Sequence, residues 1–422
     1  MTTGVPVATT TTGRTRPSSA GVAAAPAETA GAGFAARVSL GRISSAVPAE
    51  FLLIASTALI LTGFGLVMVL SATMADSLAA GEGPFETVLK QAAFAIIGIP
   101  LMFIASRLPV TFWKKIAWPG LILTTLFQLL VFTPLGVIND GNQNWIQVGS
   151  FQAQPSEFLK LSLALWLGYV LYRKQSLLTS WKHVFIPVVP IGGLVIGLVA
   201  VGSHDLGTGL ILMAILLGCL FFSGVRLRLF VVPLLLVVVA AVYFAVTSPN
   251  RMARIMSSLV NFDSTACYNA AVGDCYQAVH GVWGLASGGI FGLGLGNSRE
   301  KYGWLPAKAN DYIFAIIGEE LGLVGCIVVL VLFTLFAIGA FHVIRKTHDP
   351  FIRIVSGGIT VWIVGQAIVN MGVVLRIFPV LGVPLPFMSQ GGTSLLSVLV
   401  ACGVLLSFAR TLPARAAAPL AR

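Results

Sequence analysis

The sequence predicts an all-α polytopic membrane protein with about ten transmembrane helices and one long extracytoplasmic loop between helices 7 and 8. Three observations carry this. Of the 422 residues, 57% are hydrophobic and only 10% are charged, with a mean hydropathy of +0.92, whereas a soluble domain carries roughly 25% charged residues. Apolar blocks of about 20 residues recur along the chain, each long enough to cross a hydrocarbon layer roughly 30 Å thick. The basic residues, finally, fall on one side of the alternation those blocks impose.

The blocks lie at 50–74, 88–106, 113–133, 155–172, 184–201, 205–224, 226–247, 310–342, 352–375 and 388–410. Each must be helical, because lipid offers no hydrogen-bond partner to an open backbone. The 310–342 block is longer than one crossing needs, so it is expected to tilt or project from the membrane. Residues 1–45 are rich in Thr, Ala, Gly and Ser without an apolar core, and read as a disordered cytoplasmic tail ahead of a transmembrane domain spanning 46–411. Residues 412–422 form a short second tail. No early apolar h-region marks a cleaved signal peptide, so the first span is expected to serve as an uncleaved insertion signal.

A net charge of +11 raises nucleic acid as a partner, but its distribution excludes that reading. With the amino terminus inside and ten alternating spans, the inside segments hold Arg14, Arg16, Arg37 and Arg42; Arg107, Lys114 and Lys115; Arg173, Lys174 and Lys182; Arg226 and Arg228; Arg345, Lys346 and Arg353; and Arg410, Arg415 and Arg422. These are 18 of the 26 basic residues, while the outside loops carry acids such as Asp76, Glu82, Glu86, Asp140, Asp263 and Asp274. This is the positive-inside pattern, and it puts both termini in the cytoplasm.

Two outside loops are long, 134–154 and 248–309, and loops of that length are usually functional or disordered. The second interleaves Gly288, Gly289, Gly292, Gly294 and Gly296 with Trp283, Phe291 and Leu295, a composition suited to backbone lying close against membrane or protein. It also contains Cys267 and Cys275, for which an oxidising exterior favours a disulfide. Cys219, Cys326 and Cys402 fall inside spans and behave as small apolar residues. No Walker loop, His/Cys metal spacing, Ser-His-Asp set or internal repeat is present.

Ionisable residues inside a membrane are costly and so are functional candidates by default. The few present cluster at the outer ends of spans. In Gln154-Pro155-Ser156-Glu157-Phe158-Leu159-Lys160, Pro155 fits a first helical position and Glu157 favours the helix dipole. Lys160 lies one turn deeper on the same face, as a cation suited to an anionic ligand such as a diphosphate, or alternatively as half of a pair stabilising the helix end. Asp205 in His204-Asp205-Leu206-Gly207-Thr208 reads either as an N-cap or as a group holding that helix mouth near the same cavity. Asp311 stands at the mouth of the long span between aromatic and apolar groups, where partial burial would raise its pKa toward the range useful to a base, or where it would simply cap the helix. Glu319 and Glu320 follow two turns deeper, about 100° apart, so at most one is expected to face a given cavity. The run from Phe378 to Thr393 is too rich in Pro and Gly to be helical and reads as a re-entrant loop beside Arg376.

Taken together, these stretches resemble the SEDS family of polytopic cell-wall polymerases. The matching pieces are Gly65 to Val69 with Ser71-Ala72, then Asn144-Trp145-Ile146, Gln154 to Phe158 with Lys160, and Asp205-Leu206-Gly207-Thr208. They continue through Ser287-Gly288-Gly289 to Gly296, Asp311 to Phe314, Gly318-Glu319-Glu320-Leu321-Gly322, and Pro384 to Gly392, in one order across residues 50–410. There are departures. Ala309-Asn310 stand for the usual His-Thr, Tyr312 for Phe, Asn144 for Arg and Gln390 for Tyr, and the Cys267–Cys275 stretch lies outside the pattern.

The resemblance implies a multi-pass protein of the bacterial inner membrane that polymerises lipid II into glycan strands at its outer face. It is closest to the cell-division members, acting at the septum, with the elongation members as the alternative. It implies a class B penicillin-binding transpeptidase (FtsI-like) and other divisome membrane proteins as partners, alongside membrane lipid. Asp311 matches the catalytic carboxylate. Lys160, Glu157, Trp145, Asp205, Glu319, Glu320, Arg376, Ser389, Gly391 and Gly392 match the stretches around the substrate. No cofactor is required by the sequence, and a divalent cation on the diphosphate is left open. The rivals are a lipid II flippase, which would need charged groups spread through the midplane, and a non-enzymatic scaffold.

Overall fold

A computed structural model describes residues 48–139, 142–149, 151–247, 252 and 275–412. The expected tail at 1–45 and residues 413–422 of the second tail lie outside them. The described residues belong to one unit, Ala46–Arg422.

The chain opens with α1 (Ala49–Ala79), α2 (Glu86–Ala105) and α3 (Val110–Leu129). Strands β1 (Gly136–Asn139), β2 (Asn142–Val148) and β3 (Phe151–Ala153) follow. Then come α4 (Pro155–Arg173), α5 (Trp181–Phe185) and α6 (Gly193–Gly197), the last flanked by π-helical turns at Val188–Gly192 and Leu198–Gly202. Beyond these are α7 (Leu206–Phe222), α8 (Leu227–Thr247), α9 (Tyr276–Gly288), α10 (Ile313–Lys346), α11 (Pro350–Val374) and α12 (Gly392–Ala409).

Seven described helical stretches are long and apolar enough to cross a membrane: α1, α2, α3 continued to Phe132, Trp181–Gly202, α10, α11 and α12. The other three expected spans also fall on helices. α4 carries Glu157 and Lys160, α7 has 17 residues, and α8 has 21. Local chemistry fixes several starts. Pro155 occupies the first turn of α4, where its missing N–H costs nothing. Asp349 accepts from the Phe351 N–H at 2.9 Å with Pro350 next to it, opening α11.

α4 sits at the centre of the bundle, against α3, α7, α11 and α12, which is how a helix with two charged residues is almost wholly buried. Trp166 on α4, Trp362 on α11, Phe336 on α10 and Phe408 on α12 are fully buried there. α2 packs on α12, and α1 on α10.

Three features differ from the expected plain bundle. First, the 134–154 loop is a three-stranded antiparallel sheet, with Asn139 opposite Asn142 and Ile146 opposite Ala153. The Asp140-Gly141 dipeptide between alternating residues is a hairpin signal in the sequence that reading 134–154 simply as a long loop left unused. Second, the long loop contains a helix, α9, packed on α10.

Third, α10 is broken. Gly322 has φ 68° and ψ −163°, a region open essentially to glycine alone. The break strands backbone groups on both sides, and the glycine-rich loop takes them up. Leu293 and Gly294 donate to the carbonyls of Glu319 and Glu320 at 2.9 and 3.0 Å, while Leu323 and Val324 donate to Gly289 and Ile290 at 2.9 and 3.2 Å. Such close backbone approach needs glycine: a Cβ on Gly288 would strike the Gly318 carbonyl, and one on Gly292 the Glu320 carbonyl. The expectation that these glycines mark backbone lying close against protein is met here.

Candidate active site

The starts of α4, α7, α10 and α12 and the last turns of α1 gather at one end of the bundle, under the sheet, α9 and the 378–391 loop. That loop carries neither helix nor strand, as its Pro and Gly content requires. The site is built where these pieces cross-link.

Asp311 is partly buried and stands one residue before Tyr312, the N-cap position of α10. Its main chain is held from several directions. The Asn370 side-chain amide donates to the Asp311 carbonyl at 2.7 Å and to the Val383 carbonyl at 2.8 Å. Ser389 Oγ donates to the Asn310 carbonyl at 2.5 Å, and Gln390 N–H donates to the Ala309 carbonyl at 2.8 Å. Ser389 Oγ also accepts from Leu385 N–H at 2.7 Å. The re-entrant loop is thus fastened along the residues leading into Asp311, and Gly382 lies beside the Asp311 carboxylate.

Gln91 on α2 spans the end of the same loop, donating to the Ser389 carbonyl at 3.2 Å and accepting from Gly391 N–H at 3.1 Å. Gly392 lies against Phe94, and Gly65 of α1 against the Phe387 carbonyl, with no room for a Cβ at either. Arg376 is half-buried, next to the loop's start, in a left-handed conformation with φ 60°.

Asp205 does cap α7, accepting from Thr208 N–H at 2.9 Å and Thr208 Oγ1 at 2.8 Å. Its second oxygen also accepts from Asn144 Nδ2 of β2 at 2.9 Å and Gln154 Nε2 at 3.3 Å. Gln154 N–H reaches Thr393 Oγ1 of α12 at 3.3 Å. The starts of α4, α7 and α12 are therefore tied together, and helix N-termini carry the positive ends of their dipoles. Trp145 is half-buried on β2, opposite Val137.

Lys160 is enclosed. Its ammonium donates to Glu157 at 2.8 Å and to Gln366 Oε1 at 3.1 Å, and lies 5.1 Å from the Trp362 ring centre. Lys160 and Glu157 are each 1% exposed. Glu157 accepts in turn from Ser397 Oγ at 3.3 Å. In this conformation the ammonium serves the helix junction, and reaching an anionic ligand would require Glu157 to release it.

Glu319 and Glu320 were expected to face different ways, yet both grip one segment. Glu319 accepts from Ser298 Oγ at 2.5 Å and Arg299 N–H at 2.8 Å. Glu320 accepts from Ser71 Oγ at 2.6 Å, Lys301 Nζ at 3.2 Å and Ser298 N–H at 3.4 Å. The segment wraps around the tip of the broken helix and so meets both carboxylates.

Beyond that segment, His280 Nδ1 lies 2.7 Å from Glu300 Oε2, among Tyr276, Trp283 and Trp304. Burial pushes the Glu300 carboxyl above its ordinary value; the hydrogen bond and charge of His280 oppose this, and the charge of Glu319 adds to it. Cys275 is disulfide-bonded, while Cys219, Cys326 and Cys402 are free thiols. Cys267, the expected partner, lies outside the described residues.

Sequence reasoning did not single out Gln91, Gln366 and Asn370, and named Ser71 only within a matching stretch, although these uncharged groups do much of the fastening. A signal was there. Gln366 and Asn370 are polar residues one turn apart in an otherwise apolar span, and polar groups inside a membrane need partners.

Chemically, the site offers a partly buried carboxylate on a multiply fastened turn beside several helix N-termini. A carboxylate in such a setting is a candidate base, and helix N-termini favour anionic charge.

Comparison with known proteins places most of the chain among cell-wall proteins of one fold. The family model described as cell cycle protein, of FtsW, RodA and SpoVE, matches residues 51–413. The probable peptidoglycan glycosyltransferase FtsW of Mycobacterium tuberculosis is 36% identical over 370 residues, covering 87% of this chain and 69% of the relative. Stage V sporulation protein E of Bacillus subtilis is 34% identical over 366 residues, 86% of this chain and 97% of the relative. Among solved structures, a chain of a peptidoglycan synthase complex, described for its coordination of polymerization and crosslinking, superposes with a TM-score of 0.68 at 22% identity. That match covers 87% of this chain and 98% of the other. The rod shape determining protein RodA of Thermus thermophilus gives 0.61 at 23% identity, covering 85% and 95%.

Proposed function

We propose, for a chain that belongs to the FtsW, RodA and SpoVE family of cell cycle proteins, that it is a peptidoglycan glycosyltransferase polymerising lipid II into glycan strands during septal wall synthesis. The observation that carries the reading is the fastening of Asp311, whose backbone and immediate neighbours are gripped by Asn370, Ser389 and Gln390. A carboxylate so placed suits a positioned base.

In this reading Asp311 takes the proton from the acceptor sugar's 4-hydroxyl as that oxygen attacks the donor's anomeric carbon. The bond to undecaprenyl diphosphate breaks, the diphosphate leaves with the electron pair, and the α-linked donor becomes a β-linked product. The helix N-termini at Pro155, Leu206 and Gly392, with Arg376, form the environment for the departing charge. Lys160 joins them if Glu157 lets it go. Trp145, Asp205 and the Ser389–Gly392 stretch shape the cavity around the sugars.

The site end faces the outside of the inner membrane, both termini lie in the cytoplasm, and ten helices cross. Reporter fusions that put residue 180 or residue 350 outside would refute that topology. Cys267 and Cys275 are bonded to each other, which peptide mass spectrometry without reduction checks; two free thiols would refute it. The partner is a class B penicillin-binding transpeptidase, at the septum with other divisome membrane proteins. Purified protein should elongate purified lipid II, alone or with a candidate transpeptidase added. Failure under both conditions, with folded protein, would overturn the assignment.

A further inference from the structure

The strap from Lys301 to Asp311 carries two lysines that the proposed reaction does not use. Lysine is almost never fully buried unless paired, yet Lys301 is 3% exposed and Lys308 is 5% exposed. Lys301 Nζ donates to the Gly296 carbonyl, to Glu320 and, at 3.4 Å, to Ser71 Oγ on α1. Lys308 Nζ donates to Asp76 Oδ1 on the same helix at 2.6 Å and to the Lys301 carbonyl. Lys308 lies three residues before Asp311.

The strap therefore has three anchors. At its start, Glu319 and Glu320 grip residues 298–301. At its end, the re-entrant loop and Asn370 hold residues 309–311. Between them lies a turn in which Ala307 takes a left-handed φ of 51° and its carbonyl accepts from both Asn310 and Tyr312 N–H. Two side chains tie this turn down: Gln277 of α9, which donates to the Pro306 carbonyl at 3.1 Å, and Lys308, which ties it to α1.

We infer that Lys308, through Asp76, is a positioning residue that sets Asp311 against the last turns of α1. The inference rests on Asp311 being the base. Charge chemistry supports a tether in preference to a substrate contact: the ammonium is closed in by one carboxylate and one carbonyl, with only Asp76, whose side chain is 61% exposed, open to solvent. A short mobile error in a base is costly, since displacement by about 1 Å removes up to roughly a hundredfold in rate.

The test is steady-state polymerisation of lipid II by purified full-length protein, normalised to folded protein. Lys308→Met should lower kcat at least tenfold and leave KM within twofold, because the tether touches no substrate. Asp76→Asn takes the charge out of the same tether while keeping an oxygen that can accept from Lys308, so it should lower kcat in the same sense but by less, read against folded protein because it leaves a buried ammonium without its carboxylate. Lys308→Arg keeps donors for both partners and should restore most of the rate. A rise in KM at unchanged kcat would overturn the inference, as would a loss of rate in Lys308→Met that Lys308→Arg shares and Asp76→Asn does not. Asp311→Asn is run alongside. If it is inactive while Lys308→Met and Asp76→Asn are fully active, this inference alone fails; if it is active, the base assignment fails and takes the inference with it.

Discussion

Replacing Lys160 by Met leaves Glu157 alone at the centre of the bundle. Both side chains are 1% exposed, and the lysine supplies the only cation on Glu157 among the described contacts, at 2.8 Å. What remains is one hydroxyl, Ser397, at 3.3 Å, while Gln366 Oε1 retains only the Trp362 indole at 3.0 Å. Removing one partner of a buried pair typically costs about 3–5 kcal/mol, because the surviving charge loses its compensation without regaining water. Removing both with apolar or neutral groups of similar volume is often close to neutral. We therefore expect Lys160→Met to unfold well below the parent in detergent or nanodisc melts. The pair Glu157→Gln with Lys160→Met should recover most of the loss, giving a coupling of about 2 kcal/mol or more in the cycle. Lipid II binding is measured on each variant at a temperature where all are folded. A Lys160→Met protein as stable as the parent but unable to bind lipid II would refute the reasoning and return the ammonium to the ligand.

Two further outcomes follow from the loop around the broken helix. Gly322→Ala forces a side chain into a backbone region closed to it and against Ile290 and Gly292, so it should destabilise by about 1–3 kcal/mol from strain alone, read as a lowered unfolding temperature; an unchanged temperature would contradict the break. The Glu300 carboxyl is held above its ordinary value by burial, so its contribution to stability is fully present below about pH 4.5, the usual glutamate value, and is lost as pH rises through the higher folded value. Glu300→Gln has no such titration and should flatten the stability profile above that pH, as thermal melts at a series of pH values will report; an identical profile would refute the assignment.

Much of the bundle was legible because a helix in lipid must declare itself by length and apolarity. The 50–74, 352–375 and 388–410 blocks each fall within a few residues of α1, α11 and α12. α4 was legible both as the apolar block 155–172 and through Pro155, Glu157 and Lys160, which mark its start. What stayed hidden depends on contacts between distant segments. The break at Gly322 is stable only because residues 289–294 supply the missing hydrogen bonds, and no local pattern joins those two stretches. Glu319 and Glu320 meet one strap because it wraps a helix tip, which a helical wheel cannot show. At the candidate site, Asp311 was singled out by its setting and by resemblance, whereas Asn370, which holds its carbonyl, and Gln91, which holds the neighbouring loop, were passed over because neutral amides do not announce themselves as charges do.

The central claim is that Asp311 is the base of the polymerisation. Asp311→Asn keeps the side chain's size and its backbone fastening to Asn370, Ser389 and Gln390, but it cannot accept a proton. Positioned general-base catalysis is typically worth about 10²–10⁴-fold. The decisive measurement is the rate at which purified, folded Asp311→Asn protein elongates lipid II, with binding of lipid II measured on the same sample. The account predicts a fall of at least about a hundredfold in rate with binding retained. Parental rates from a folded, substrate-binding Asp311→Asn protein would contradict it.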